Sequence, residues 1–599
     1  MKSEIELLFE EKTIEDLSLL TGQCDDSMKI ILRILFDSVR DGNLALPLQK
    51  KLLLSKFNEV IKESSRSTAL VDELFEGLKR DRYSELISNN AEEMKPLVLT
   101  HRDDGREFIA FQRYAAVDSR LSEGFRTMLE EKFGEPTLPD NKLIDSEKLK
   151  LFFSSTKNSN LEQESALVAP LFNRLTLISG GPGTGKTYII SKLINLLHEL
   201  GVAEERIIVG APTGRAAYRI TECIRNSQSV ISDDRAKIDI EAQTIHRILN
   251  YSPSSNSFGR NEKVRLDADF VIIDEAGMID AFLMDALLKA LPDSSRLILI
   301  GDKDQLSPVG CGSSFSWLCD TEKNIVILKK NYRMGSAVAP AAEAVRDGKK
   351  ADDLLSLFTK TKSIKNEDEV SKMLWIDSSE LNEKEIAEIL KEWMELYFGN
   401  GQSSYIDEVD KLQCDGIDSS NEKIKDLIER SVRSQVLSIY NEGIHGRRNL
   451  NDYMMQMYLD SWRDKGQRNL LPPGTPIIIL ENDYRNELFN GDRGIILNGE
   501  KDEKLAAFIR SDTVEFFRLK SLRNYETGFA ITVHKSQGSE FENVSLFIQE
   551  PFETGANLLT RKILYTGITR AKTNLFLIGN KKNIEKCIAG TTHRISSYF

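Results

Sequence analysis

The stretch Leu175-Thr-Leu-Ile-Ser-Gly-Gly-Pro-Gly-Thr-Gly-Lys-Thr187 decides the fold. It begins as a short apolar run, turns through glycines and ends in Lys-Thr, ahead of the amphipathic segment Tyr188 to Leu200. A strand, a glycine-rich turn and a helix in that order satisfy GxxxxGK[ST], the phosphate-binding loop. Gly180, Gly181, Gly183 and Gly185 carry no Cβ, so the backbone N–H groups of the turn, with those around Pro182 and Thr184, can converge on a phosphate at a helix N-terminus. Lys186 reaches the β/γ-phosphates and the Thr187 hydroxyl is a Mg2+ ligand. ATP and Mg2+ are therefore the expected cofactors.

Working outward, short β-branched or leucine-rich runs recur at Leu175 to Ser179, Arg206 to Gly210, Phe270 to Asp274, Arg296 to Gly301 and Ile325 to Leu328, with helical segments between them. Buried runs of that length separated by helices predict an α/β fold with a parallel sheet covered on both faces. The run at Phe270 ends in Asp274 and Glu275. Asp274 is placed to hold hydrated Mg2+ and Glu275 to activate the attacking water. After Arg333 comes a charged, mainly helical stretch and then a strand-like segment at Gln435 to Ser438. Residues Pro473 to Lys520 hold several short strands with polar turns between, which suits a small β-barrel inserted at about 473–525. The α/β pattern resumes at Gly528 to Val533, Val544 to Ile548 and Asn574 to Ile578.

Upstream of the loop the chain is glycine-poor and helical in pattern. Ile30, Ile31, Ile34, Leu35 and Val39 share one helical face. Pro96 to Phe111 reads as a β-hairpin ahead of a helix at Arg113 to Glu131, and Gly134 to Asp140, with Pro136 and Pro139, marks a boundary. The expected domains are residues 1–145, mostly helical and partner-binding; 146–345, the first ATPase domain; and 346–599, a second domain that carries the insertion.

A chain of 599 residues predicts several cores. Its net charge of −13 excludes a passive nucleic-acid coat, and the first 150 residues hold 23 Lys+Arg against 30 Asp+Glu, about half of that acidity. Met1 to Glu10 lacks the apolar core of a secretory signal, and no stretch approaches the ~18 apolar residues of a membrane span, so a cytoplasmic location is expected. Six scattered cysteines without a CxxC pair read as reduced thiols. No metal-binding constellation stands outside the ATP site.

Eight ordered segments carry a resemblance. They are the loop Gly180 to Thr187, Ala211-Pro-Thr-Gly-Arg-Ala-Ala217, Thr244-Ile-His246, Asp274-Glu275, Gly301-Asp-Lys-Asp-Gln-Leu306, Asn331-Tyr-Arg333, Thr532-Val-His-Lys-Ser-Gln-Gly-Ser-Glu540 and Tyr565-Thr-Gly-Ile-Thr-Arg570. Their order resembles superfamily 1 helicases, and their wording resembles the RecD family, the alpha subunit of exonuclease V, the RecBCD complex. The likeness covers Gln163 to Phe599. It implies two RecA-like P-loop domains with ATP between them, a small SH3-like β-barrel insertion and a mostly helical N-terminal domain.

By the same likeness Gln163 reads the adenine edge, Gln305 senses the γ-phosphate, Arg333 and Arg570 clamp it from the second domain, and Glu540 supports the nucleotide. Thr213, Thr244, His246, Thr532 and His534 fall on segments that touch the DNA strand in relatives, where hydroxyls and imidazoles grip phosphates without reading sequence. The alternative for each is a local turn or helix cap. Arg215 stands where many relatives carry Lys, and Ser252 to Lys263 looks like a polar loop of this chain alone. The resemblance implies an ATP-dependent 5′→3′ DNA helicase working with RecB-like and RecC-like subunits in double-strand break repair, the nuclease lying in a partner. A stand-alone helicase and a non-translocating regulatory ATPase are the alternatives.

Overall fold

The computed structural model describes residues 4–102, 104–139, 143–144, 146–155, 160–228, 238–322, 325–332, 338–364, 372–398, 404–415, 422–463, 470–483, 485–499, 503–510, 513–550, 558–591 and 594–598. Leu175–Gly180 is a strand with every residue buried. It lies in a six-stranded sheet whose order is Ile325–Leu328, Leu175–Gly180, Arg296–Gly301, Phe270–Ile273, Ile207–Ala211, Gln243–Thr244, all neighbours parallel. Alternate residues of the central strands face opposite cores, which is why these strands read as unbroken apolar runs. Ile272, Ile298 and Ile300 pack with Ile190, Leu193 and Ile220 of the helices Lys186–Glu199 and Gly214–Gln228. Val271, Ile273, Leu297 and Leu299 pack with Met284 and Leu287 of the helix Ala281–Ala290 and with Leu121 and Phe125 of the helix Gln112–Glu130.

The second sheet is built the same way. Its order is Thr359–Lys360, Met373–Ile376, Ala571–Gly579, Phe541–Ile548, Ser434–Ser438, Ala530–Thr532, again all parallel. The helices Val338–Arg346, Arg561–Ile568 and Lys581–Ala589 cover one face, and Glu383–Tyr397, Glu422–Arg433 and Arg447–Arg463 the other. Two parallel sheets of this kind make a RecA-like α/β core. Between Ser438 and Ala530 the chain leaves the sheet to build a five-stranded antiparallel one, in the order Thr513–Arg518, Lys504–Arg510, Arg493–Asn498, Pro476–Ile479, Tyr525–Thr527. Its own small core gathers Ile477, Ile479, Leu488, Ile496 and Phe508.

The N-terminal region has the helices Glu4–Thr21, Asp26–Arg40, Lys50–Ile61 and Ser64–Lys79 beside a four-stranded sheet. Leu97–His101 and Glu107–Phe111 form the antiparallel hairpin at its centre. Residues 594–598 reach back to this region. The Asp118 carboxylate accepts from Ser596 Oγ (2.7 Å), Ser597 N (2.7 Å) and Ser597 Oγ (2.8 Å), while Arg102 donates to the carbonyls of Ser596 (2.7 Å) and Ser597 (2.8 Å). Leu44 N donates to Ile595 O at 2.8 Å. The Arg594 guanidinium donates to the carbonyls of Pro308, Gly310 and Gly312.

Three sequence expectations shift. The helix Gln112–Glu130, grouped with the N-terminal region, shares the core of the first sheet, and Val338–Arg346, grouped with the first ATPase domain, packs in the core of the second. Helical periodicity says that a face is buried, not against what. Thr359–Lys360 and Met373–Ile376 are strands inside a stretch read as mainly helical, because four residues are too few to show a period. Ser252 to Lys263, read as a loop, opens with an antiparallel ladder in which Tyr251–Ser252 pairs with Ser257–Phe258. Among the described residues no helix is long and apolar enough to cross a membrane, and five cysteines are free thiols.

Candidate functional site

Parallel sheets place the carboxyl ends of their strands along one edge, and the candidate residues collect there. Gly183 and Gly185 have φ of 78° and 89°, the left-handed region that glycine adopts without strain. The turn is also closely surrounded. A Cβ on Gly180 would stand 2.5 Å from Thr184 Oγ1 and 2.8 Å from Leu328 Cβ, and one on Gly181 would stand 2.9 Å from Tyr565 Oη. Lys186 Nζ donates to the carbonyls of Gly180 (2.8 Å) and Gly181 (3.1 Å), folded over the turn that a phosphate would share with it. The amide Nε2 of Gln163, a residue 5% exposed, lies 3.2 Å from the ideal Cβ position of Gly185, at the helix start. Its backbone N–H donates to the Asn160 cap at 2.8 Å.

Asp274 lies beyond the buried strand Phe270–Ile273 and is 5% exposed. Burial, and then the charge of Glu275, push its carboxyl well above the usual carboxylate range, against the pull of Lys186. Its Oδ1 accepts from Glu275 N at 2.8 Å, and Glu275 itself adopts φ 52°. Two acids held together beside one lysine and short of solvent are a donor set that a divalent cation would relieve, so the residues present fit Mg2+ with ATP. Gln305, 8% exposed, donates through Nε2 to Asp302 Oδ2 at 3.0 Å.

The second domain meets this edge directly. Tyr565 Oη donates to Asp302 Oδ2 at 3.2 Å, and Leu306 N donates to Thr566 Oγ1 at 3.0 Å. Arg570, 3% exposed, donates to the carbonyls of Thr566 (3.1 Å) and Ser539 (3.0 Å). Burial lowers its pKa, and the charges it feels against that are Glu275, Glu540 and Asp302. The structure thus brings Lys186, Asp274, Glu275, Gln305, Arg570 and Glu540 to one seam. Arg333 lies outside the described residues. Its neighbours are in place: Asn331 Nδ2 donates to Pro182 O and Tyr332 N to Gly183 O, each at 2.8 Å. Sequence reasoning did not foresee these contacts, nor Arg219, whose guanidinium donates to Gly538 O across the seam. The only signal for Arg219 was its place one helical turn after Arg215.

A separate cavity of about 1,020 Å3 opens between the first domain and the insertion. Thr244 and His246 line it, and Gly214, next to Thr213, forms part of its wall. His246 lies against Tyr251 (centroids 5.3 Å apart) and Phe258 (6.0 Å), and burial lowers its pKa. Thr213, Thr244 and Thr532 each accept from a backbone N–H three residues on, at 3.3, 3.2 and 3.3 Å, so all three cap local turns. Thr532 and His534 are not among the cavity's lining residues; His534 is instead held down in pKa by burial and the charge of Arg594.

Residues 163–311 match the family model of an AAA domain, and residues 527–578 that of a UvrD-like helicase C-terminal domain. A curated relative named RecBCD enzyme subunit RecD, from Buchnera aphidicola subsp. Schizaphis graminum, is 30% identical over 71% of this chain and 74% of its own length. Another of that name, from Mycobacterium tuberculosis, is 28% identical over 73% of this chain and 72% of its own. The ATP-dependent RecD2 DNA helicase of Deinococcus radiodurans is 28% identical over 71% of this chain and 49% of its own. With a phosphate loop, an acid pair at a strand end and an arginine from the second domain meeting at one seam, and with that coverage of its relatives, the chain belongs to the RecD family of superfamily 1 ATP-dependent DNA helicases.

Proposed function

We propose that the chain is the 5′→3′ motor subunit of a RecBCD-type helicase-nuclease acting in double-strand break repair, with Mg2+ and ATP bound at the seam. The observation that carries this reading is Arg570, nearly fully buried and supplied by the second domain to a cleft whose other wall holds the phosphate loop and Glu275. Lys186 and the amides from Gly180 to Thr187 hold the phosphates; Thr187 and Asp274 hold the cation; Gln163 reads the base, and Glu540 supports the closed cleft. Glu275 orients the attacking water as general base. Hydrolysis supplies the free energy, and an arginine reaching across a cleft contributes roughly 10³–10⁵ in rate to such chemistry. Gln305 and the Leu306–Thr566 contact transmit closure between the sheets, moving one domain along the strand relative to the other.

In the same reading Thr213, Thr244, His246, Thr532 and His534 contact the DNA backbone, and Arg333 joins Arg570. The antiparallel insertion is SH3-like. Residues 1–145 form the face for RecB-like and RecC-like subunits, the nuclease lies in one of those partners, and the complex is cytoplasmic. The test is Lys186→Gln assembled with its partners and given a duplex with a single-stranded 5′ end. ATP-dependent unwinding from that end should disappear. Unwinding from 5′ ends at the wild-type rate would sink the motor reading, and ATP hydrolysis by the wild type without displacement of a block on single-stranded DNA would leave only a regulatory ATPase.

A further inference from the structure

In a chain whose net charge is −13, a second cavity, of about 530 Å3, gathers cations at the junction of the first domain, the second domain and the tail. None of Lys186, Asp274, Glu275, Gln305 or Arg570 lines it, and neither do the five residues assigned to the DNA strand. Tyr565 stands between it and the seam: its side chain is part of the cavity wall, while its Oη reaches Asp302. The second domain supplies Arg346, Arg561 and Lys562 to the lining, the first domain Lys303 and the tail Arg594, against the carboxylates of Asp304 and Asp320. Lys303 already pairs with both acids, Asp320 at 3.1 Å and Asp304 at 3.6 Å. Arg594 gives its hydrogen bonds to neutral carbonyls. Arg561 uses Nε on Ile588 O at 3.0 Å. Among the described residues the half-buried Lys562 ammonium reaches only Ser307 Oγ and Ser316 Oγ, each at 3.5 Å, the outer limit of a hydrogen bond.

Arg561 and Lys562 also stand in the first turn of the helix Arg561–Ile568, where the helix dipole favours an anion and disfavours a cation. Burial lowers the Lys562 pKa, with Arg594 and Lys303 adding to the fall and Asp304 and Asp320 opposing it. An anion beside the ammonium would offset these penalties. Its chemistry follows from the donors. Ammonium, guanidinium and hydroxyl groups from several elements suit a tetrahedral oxyanion better than a flat carboxylate, and positive charge in excess of two carboxylates suits a multivalent one. The volume is that of a small-molecule pocket, larger than a single phosphate fills. We propose that this cavity is a second anion site, separate from the phosphate loop, that takes a small di- or polyphosphate between Lys562 and Arg561 of the second domain and Lys303 of the first. Lys303 belongs to the segment 302–306 that carries Gln305, and Lys562 to the helix that carries Tyr565, so the anion ties the two walls of the seam together. That coupling, unlike the binding itself, rests on closure of the cleft over ATP.

Full-length wild type, Lys562→Met and Lys562→Arg are saturated with Mg2+ and a non-hydrolysable ATP analogue, which fills the phosphate loop, and then titrated with pyrophosphate in a calorimeter at fixed ionic strength. The wild type should bind pyrophosphate about tenfold more tightly than Lys562→Met, the worth of one charge-assisted hydrogen bond, and Lys562→Arg should recover most of that affinity. Release of a fluorescent form of the analogue needs the cleft to open, so pyrophosphate should slow it severalfold in the wild type and not in Lys562→Met; simple competition at the phosphate loop cannot slow release. Without pyrophosphate, Lys562→Met should melt at the wild-type temperature or above. A wild type that binds no pyrophosphate once the seam is filled, or binds it no better than Lys562→Met, would overturn the second site while leaving the motor reading intact. So would a lowered midpoint in Lys562→Met, which marks the lysine as structural, and so would displacement of pyrophosphate by oligo(dT), which makes the cavity part of the DNA track.

Discussion

Asp118→Ala tests whether residues 594–598 are held by the few groups that touch them. Asp118 is fully buried, and its carboxylate takes three donors from Ser596 and Ser597. Two of those donors are hydroxyls, which can rotate toward other acceptors. The third is the Ser597 N–H, which cannot, and stranding a buried backbone donor costs about 1–3 kcal/mol. Taking about 2 kcal/mol, local opening of the tail becomes about 30-fold more frequent. Arg102 still holds the two carbonyls, so the tail loosens without leaving. Hydrogen exchange read by mass spectrometry should show that acceleration in the peptide containing Ser597, with a smaller change at Leu44, whose N–H reaches Ile595 O. Asp118→Asn, which keeps one acceptor oxygen, should fall between. Unchanged exchange at Ser597 in Asp118→Ala would refute the reasoning, because a tail held by its bulk alone would not notice the carboxylate.

Two further outcomes are expected. Burial lowers the His445 imidazole to about 4 from an ordinary value near 6.5, so the folded state keeps it neutral while the unfolded chain gains a proton. That histidine's share of stability is complete above about pH 6.5 and is lost as pH falls to about 4, a loss on the order of 3 kcal/mol. Thermal unfolding of His445→Gln should therefore fall less than wild type between pH 7.5 and pH 5; parallel declines would argue against it. Gly180→Ala puts a methyl group onto Thr184 Oγ1 and Leu328 Cβ, an overpacking worth about 1–3 kcal/mol in a turn with no room to yield. It should lower the thermal midpoint and abolish binding of a fluorescent ATP analogue, and wild-type affinity would count against the close fit described for the turn.

The sheets were legible because their strands are buried on both faces. Leu175 to Ser179 and Phe270 to Asp274 could be read as strands without knowing their neighbours, and the acid pair could be placed at a strand end. What escaped depends on tertiary contact. The pairing of Met373–Ile376 with Ala571–Gly579 joins segments too far apart for any local pattern to announce. The Asn331 and Tyr332 contacts to the phosphate loop depend on a strand edge, Ile325–Leu328, lying beside Leu175–Gly180. The burial of Arg493 is likewise invisible in sequence, because its partners Gln435 and Gly528 O lie on other strands.

The connectivity of the two sheets also sets an order of assembly. All strands of the first sheet lie between Leu175 and Leu328, so that sheet can pair fully once the chain has been made to that point. The second sheet starts at Thr359, waits through the insertion, and receives the partner of Met373–Ile376 only at Ala571–Gly579. Non-local parallel pairing of this kind is slow, because the intervening loop must close before any contact rewards it. During synthesis the chain therefore passes through a stage with the first sheet paired and the edge of Met373–Ile376 uncovered, and an uncovered strand edge is where mispairing starts.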